Sequence, residues 1–388
     1  MLWEIYILVP RLSLSFTSPT SYISPIFISN NNIKEMVKRI AIIGSGNWGS
    51  AIARIIGQTT SQHKDTFDSH VKMWVYEEIV NGEKLSEVIN QRHENVKYLP
   101  GKKIPENVVA VTDLVETCKD ADFLIFVVPH QFVGGLCKQL KGNIKSDAQG
   151  ISMIKGLALN TGAKSGINLI TDEIKSILNI KCSVLMGANL AHEVAEDQFC
   201  EATIGYNGTN PEEEIILKKL FHTDSFRISV VKDANTVELC GALKNVVAIA
   251  AGISDGLGYG DNTKAAIIRL GLMEITKFAE RYYPPSNLKT FFQSCGVADL
   301  VTTCYGGRNR KLGMAFAKSD KDIKTLEKEM LNGQSAQGVY TAEELREMLK
   351  QNNAEADFPL FIGVDKVCKK EIKPKELIEY LKNHPEHD

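Results

Sequence analysis

From Val37 onward the apolar positions of the chain fall into two regimes. Up to about Val231, short apolar runs of strand length alternate with helical patterns; beyond it strand signals nearly vanish and helices dominate. In the first regime Ile40–Ile43, Val71–Tyr76, Val108–Val111, Ala121–Val128, Ile151–Gly156 and Cys182–Asn189 read as strands. Ala121–Val128 is apolar almost without interruption, as in a strand buried on both faces. Ala51–Ile56, Ile79–Arg92 and Leu114–Lys119 read as helices, and Leu99-Pro100-Gly101 with Ile104-Pro105 marks an extended loop. Strands alternating with helices imply right-handed crossovers and a parallel sheet. In the second regime Asp233–Ala250, Thr263–Arg281, Pro285–Cys295, Leu312–Ala317, Lys321–Leu331 and Thr341–Gln351 read as helices.

The first strand ends in Gly44-Ser45-Gly46-Asn47-Trp48-Gly49, three glycines at GxGxxG spacing that open a helix. Gly44 suits the tight turn, Gly46 lets backbone approach a pyrophosphate, and Gly49 lets the helix pack close to the strand. The helix then directs unpaired N–H groups at the phosphates. The second strand ends in Glu77-Glu78, where a dinucleotide fold places a carboxylate on the ribose hydroxyls. The spacing is longer than the usual roughly 20 residues, so a loop around Gln58–Ser69 is expected. With no arginine beside Glu77, and two carboxylates to repel a 2'-phosphate, the pattern favours NAD over NADP; alternatively Glu77 and Glu78 only begin the next helix. The fold class expected is α/β: a Rossmann-type doubly wound sheet over 36–232, followed by an all-α C-terminal domain over 233–388. The other strand ends, Pro129–Phe132, Lys155 and Asn189, belong at the same edge of that sheet.

Composition changes this picture little. At 388 residues the chain can build two cores, and a net charge of −2 gives no general attraction to nucleic acid or anionic membranes. Eight scattered cysteines, without CxxC or metal spacing, point to thiols in a reducing compartment, neither a disulfide framework nor a metal site. Residues 1–35 differ: Leu2–Pro10 is too short to span a bilayer, and Arg11–Asn32 is serine-rich without an acid, like a transit peptide. The reading preferred is an unstructured tail, or a start at Met36.

A dehydrogenase acting on a carbonyl needs a proton donor at the oxygen, yet no histidine lies between His222 and His384. Lys244 is the candidate, in an almost wholly apolar helix beside Asn245, on one face with Val237, Cys240, Gly241 and Ala248. The alternative is a snorkelling or structurally paired lysine. A nearby Lys155 would lower at least one of the two lysine pKa values by repulsion. Asp299 and Thr303, four apart, share a face if helical; Asp299 either orients the lysines or caps a helix. Gly306-Gly307-Arg308-Asn309-Arg310, with a helix following, suits a phosphate or is a surface turn with a structural arginine.

These residues lie in GSGNWGSAIA, MWVYEE, RHENVKYLPG, FVVPHQF, GLALNTG, LCGALKNVVAIAAG, GDNTKAAIIRLGLMEI, SCGVADLVTTCYGGRNRKLG and LNGQSAQG. In that order, from Arg39 to the C-terminal Asn383-His-Pro-Glu-His, the chain resembles the eukaryotic cytosolic NAD-dependent glycerol-3-phosphate dehydrogenases. The resemblance implies a cytoplasmic homodimer that interconverts sn-glycerol 3-phosphate and dihydroxyacetone phosphate with NAD, a triose phosphate being its small-molecule substrate. It makes Lys244 the acid/base, Lys155 and Asp299 its partners, and Arg308, Asn309, Asn245 and Thr303 the phosphate clamp. It makes Gly44, Ser45, Gly46, Asn47, Trp48, Gly49, Phe132, Ala188 and Gln337 the NAD contacts. The chain departs from the family at Ser335, where a lysine is usual, and the segment before Met36 has no counterpart. Two rivals remain: a 3-hydroxyacyl or 6-phosphogluconate dehydrogenase with the same domain order, and a catalytically silent NAD-sensing protein.

Overall fold

Strand β1, Ile40–Ile43, is buried on both sides, Ile40 and Ile42 in one core and Ala41 and Ile43 in another. Each such isoleucine contributes about 1.5–3 kcal/mol by burial. The structure, a computed structural model, describes residues 37–159, 167–331 and 335–387. The expectation for 1–35 and parts of GLALNTG and LNGQSAQG lie outside them.

Seven further strands join β1: β2 (Val71–Trp74), β3 (Val108–Val111), β4 (Phe123–Phe126), β5 (Gln149–Ser152), β6 (Lys181–Met186), β7 (Cys200–Gly205) and β8 (Phe226–Val231). Their spatial order is β8-β7-β6-β5-β4-β1-β2-β3. From β6 to β3 this is the 3-2-1-4-5-6 arrangement of doubly wound nucleotide-binding sheets, whose topological switch lies between β1 and β4.

Helices α1 (Asn47–Gln62), α2 (Leu85–Arg92), α3 (Leu114–Cys118), α4 (Val133–Leu140), α5 (Ile170–Leu178), α6 (Ala191–Val194) and α7 (Pro211–Phe221) accompany the sheet. Side chains of α1 and α7 fill the core on one face; those of α3, α4 and α5 fill the other.

The pairing is parallel throughout except between β6 and β7. Only the four-residue α6 separates those two strands, too little for a packed crossover helix, and the chain reverses instead. The wholly parallel sheet expected from the alternation is corrected to that extent.

Three local expectations also differ. Ile79–Arg92 is not one helix: Ile79–Val80 and Glu83–Lys84 form a hairpin through Asn81 and Gly82, both at positive φ, before α2 begins. Asn-Gly is the dipeptide such a two-residue turn favours. Part of the expected 58–69 loop is helix, because α1 continues to Gln62. Within Pro285–Cys295, only Leu288–Phe291 is α-helical, followed by a wide π-type turn at Ser294–Ala298.

After β8 the chain is helical: α8 (Ala234–Gly256), α9 (Asp261–Tyr282), α10 (Leu288–Phe291), α11 (Asp299–Tyr305), α12 (Arg308–Ala317), α13 (Ile323–Met330), α14 (Gln337–Gln351), α15 (Pro359–Cys368) and α16 (Pro374–Lys382). Helix α8 is the axis of this half. It is apolar and long enough to cross a bilayer, but its apolar window is wholly buried, and α9, α11, α12, α14 and α15 pack around it. Gly252 and Gly313 bring α8 and α12 into backbone contact: a Cβ on either would overlap a carbonyl oxygen of the other helix, at Arg310 or Ile249.

Candidate active site

The carboxyl ends of β1, β4, β5 and β6 meet the helical half along one edge of the sheet. At the β1 end, Gly44 has φ +120°, and a Cβ there would sit 2.5 Å from the Val127 carbonyl oxygen. A Cβ on Gly49 would overlap the Gly44 oxygen, so strand, turn and helix close against one another. Gly46 differs: nothing lies within 4 Å of its missing Cβ. Gly46 is the N-cap of α1, which has neither a side-chain cap nor an acidic residue in its first turn. An open, uncapped helix N-terminus is what a pyrophosphate fits.

Neighbours hold this turn in shape. Buried Asn95 donates to the Ser45 carbonyl at 2.7 Å and to Ser50 Oγ at 2.9 Å, and Asn47 Nδ2 donates to the Tyr98 carbonyl at 2.7 Å. The Trp48 ring meets Phe226 edge-on, so its indole belongs to the core and its backbone to the turn. Sequence reasoning missed Asn95, although an asparagine inside RHENVKYLPG was the available signal. Glu77 accepts from Ser86 N at 3.2 Å and Ser86 Oγ at 2.6 Å, holding the first turn of α2 from outside. Glu78 accepts from Tyr98 Oη at 2.6 Å and pairs with Lys97.

Further along the edge, Phe132 ends a 3-10 turn after β4 and is 55% exposed. His130, in the same turn, lies against Gly156 and beside Gln337, the first residue of α14. Gln337 Oε1 is buried facing the His130 ring, whose proton it favours while burial of the ring works more strongly the other way. Ala188 N donates to Ser294 Oγ at 3.4 Å, and Ser294 Oγ in turn donates to the Glu201 carbonyl at 2.6 Å. Ser335 lies beside Tyr340. The open glycine turn at the uncapped start of α1 fits the pyrophosphate of a dinucleotide.

At the seam between sheet and helices, one carboxylate holds two lysines. Lys155 Nζ donates to Asp299 Oδ2 at 3.0 Å and to the Gly187 carbonyl at 3.2 Å. Lys244 Nζ donates to Asp299 Oδ1 and, at 2.6 Å, to Thr303 Oγ1. Thr303 Oγ1 donates a hydrogen bond to the Asp299 carbonyl at 2.7 Å, which turns a lone pair toward Lys244. Asp299 and Thr303 both lie on α11 and are buried. Burial in the centre of the helical half draws Lys244 down to about 7; Asp299 opposes that shift and Lys155 reinforces it.

The third group lies where α8, α12 and α14 meet. Arg308 and Asn309 form the first turn of α12 itself, after Gly307 at φ +65°, whereas the expected helix began at Leu312. Asn309 Nδ2 donates to Asn245 Oδ1 at 2.9 Å, and Gly338 N donates to Asn309 Oδ1 at 2.8 Å, so this amide ties three helices together. Arg308 is exposed at the mouth of this group, and partial desolvation by its neighbours draws its guanidinium below the usual value.

The chain matches the family model for the N-terminal part of NAD-dependent glycerol-3-phosphate dehydrogenase over residues 39–212 and the model for its C-terminal part over 233–379. It is 62% identical to a protein of Caenorhabditis elegans named probable glycerol-3-phosphate dehydrogenase 2, over 98% of each chain. It is 56% identical to human cytoplasmic glycerol-3-phosphate dehydrogenase [NAD(+)], over 90% of this chain and 99% of that one. A solved glycerol-3-phosphate dehydrogenase of Saccharomyces cerevisiae superposes with a TM-score of 0.83 at 42% identity, covering 89% of this chain and all of that one.

Proposed function

The chain belongs to the family of NAD-dependent glycerol-3-phosphate dehydrogenases, and from that premise we propose how its residues interconvert sn-glycerol 3-phosphate and dihydroxyacetone phosphate. Residues 36–232 hold the nucleotide, and 233–388 supply most of the groups that meet the substrate. When bound, NAD supplies the hydride acceptor, and NADH the donor, at the nicotinamide ring. The glycine turn Gly44–Gly49 takes its pyrophosphate, while Phe132, Ala188 and Gln337 flank its reactive end.

Lys244 holds the proton that the central substrate oxygen gains or loses. In the oxidative direction the neutral amine takes the hydroxyl proton; in the reductive direction the ammonium returns it. A lysine drawn to about 7 populates both forms near neutrality, which is what a reversible acid/base requires. Lys155 faces the same oxygen and stabilises the charge that develops there, and Asp299 fixes both ammonium groups. Arg308 takes the substrate phosphate, with Asn309, Asn245 and Thr303 shaping the pocket. Binding energy from the phosphate then holds the reacting carbon in position.

The observation that carries this reading is the Lys155–Asp299–Lys244 bridge at the carboxyl edge of the sheet. An NADH absorbance assay offering dihydroxyacetone phosphate, a 3-oxoacyl thioester and, with NAD, 6-phosphogluconate tests it; turnover confined to the triose phosphate is expected, and preference for either other substrate would overturn it.

The protein acts in the cytoplasm, as its relatives named cytoplasmic do, and as a homodimer. Exposed Leu288, Phe292, Val301 and Tyr305, on or beside α10 and α11, offer apolar surface to a second copy. Sedimentation at micromolar concentration tests this; a monomer would refute it.

A further inference from the structure

Beneath the proposed phosphate site lies an ion network that the chemistry above does not use. Asp255, near the end of α8, accepts from Arg310 Nε at 2.6 Å through Oδ2 and pairs with Lys264 Nζ of α9 at 2.7 Å through Oδ1. The Lys264 ammonium also lies over the ring of Tyr305, 4.7 Å from its centroid. The Asp255 and Lys264 side chains are only 12% and 8% exposed.

The sequence positions give this network its meaning. Tyr305 is the last residue of α11, Arg310 lies in the first turn of α12, and between them run Gly306, Gly307, Arg308 and Asn309. Two glycines make that connection pliable, one of them at positive φ. One carboxylate thus reaches both flanks of the turn, directly at Arg310 and through the Lys264 ammonium at Tyr305. It does so from α8, the helix that also carries Lys244 and Asn245.

We propose that Asp255 is a positioning residue for the phosphate clamp: by gripping the Gly306–Asn309 turn from both sides it sets Arg308 at a fixed offset from Lys244. The inference rests on Arg308 receiving the substrate phosphate. Buried charges are costly to assemble, so a network that only stabilised the helices would be replaceable by apolar packing. A positioning network has a different signature, because its effect vanishes once the group it positions is removed.

The test compares kcat/KM for dihydroxyacetone phosphate with that for unphosphorylated dihydroxyacetone in the full chain, using Asp255→Asn and Arg310→Met. The second variant breaks only the α12 side of the grip and leaves the Asp255–Lys264 pair intact, so it answers the question if the first does not fold. Each is expected to lower the preference for the phosphorylated substrate about tenfold, and Arg310→Met to have less than about a twofold further effect in an Arg308→Ala background. Arg310→Lys, which keeps a cation for Asp255, is expected to recover most of the preference. Equal losses on both substrates, or full additivity with Arg308→Ala, would show a structural role only and overturn the inference. If Arg308→Ala itself treats both substrates alike, the clamp reading fails and this inference falls with it. If Arg308→Ala discriminates while Arg310→Met does not, only the role of Asp255 is lost.

Discussion

Lys155, which follows a strand of the sheet, donates to Asp299 at the start of α11 across 3.0 Å, a direct polar link between the two halves at the proposed reaction centre. Because Lys244 occupies the other oxygen of the same carboxylate, the two lysines are held at a separation set by a single side chain. Losing either lysine leaves different defects.

Lys244→Ala removes the acid/base and leaves the nucleotide turn untouched. General acid/base help is worth about 10²–10⁴ in rate, or roughly 3–5 kcal/mol. Turnover is expected to fall on that scale, while NADH binding, read by fluorescence titration, is retained. Near-normal turnover would exclude Lys244 from the mechanism.

The depressed lysine sets opposite pH limbs for the two directions. Oxidation of glycerol 3-phosphate needs neutral Lys244, so kcat/KM should rise as pH rises through about 7. Reduction of dihydroxyacetone phosphate needs the ammonium, so kcat/KM should fall through the same region. Steady-state profiles in both directions check this; limbs of the same sign would contradict it.

Arg308→Ala should cost far more on dihydroxyacetone phosphate than on dihydroxyacetone, because only the first carries the anion that the guanidinium grips. Parallel steady-state assays decide the matter, and equal losses would count against the clamp.

The glycine turn separates packing from binding within four residues. Gly49→Ala places a methyl on the Gly44 carbonyl and should cost about 1–3 kcal/mol by overpacking, read as a lowered Tm. Gly46→Ala meets open space, so Tm should hold while the Kd for NADH rises at least severalfold. A Gly46→Ala protein with unchanged NADH affinity would place the pyrophosphate elsewhere.

Much of this was legible before any coordinates, for identifiable reasons. A strand buried on both faces is apolar without interruption, and that marks β1 and β4; a lysine inside Leu239–Ala251 is conspicuous because everything around it except Asn245 is apolar. Helix spacing brought Asp299 and Thr303 together correctly. What escaped depends on partners far apart in sequence. Strands β7 and β8 alternate apolar with polar residues, so neither shows a continuous apolar run, and the β6–β7 reversal depends on the length of one connection. Asn95 looks like any loop asparagine until the turn it props is folded beside it. The Asn81-Gly82 hairpin could have been read, but the apolar spacing around it mimics a helix.

Helix α8 imposes a demand on synthesis as well as on catalysis. It leaves the ribosome with only its first turns covered, by β6 and β7, since α9, α11, α12, α14 and α15, which wrap the rest, are all encoded later. At roughly 5–20 residues per second, the nascent chain must shelter that helix for several seconds or longer. A premature stop before α15 would therefore leave a sticky, chaperone-dependent fragment, even with the sheet half complete.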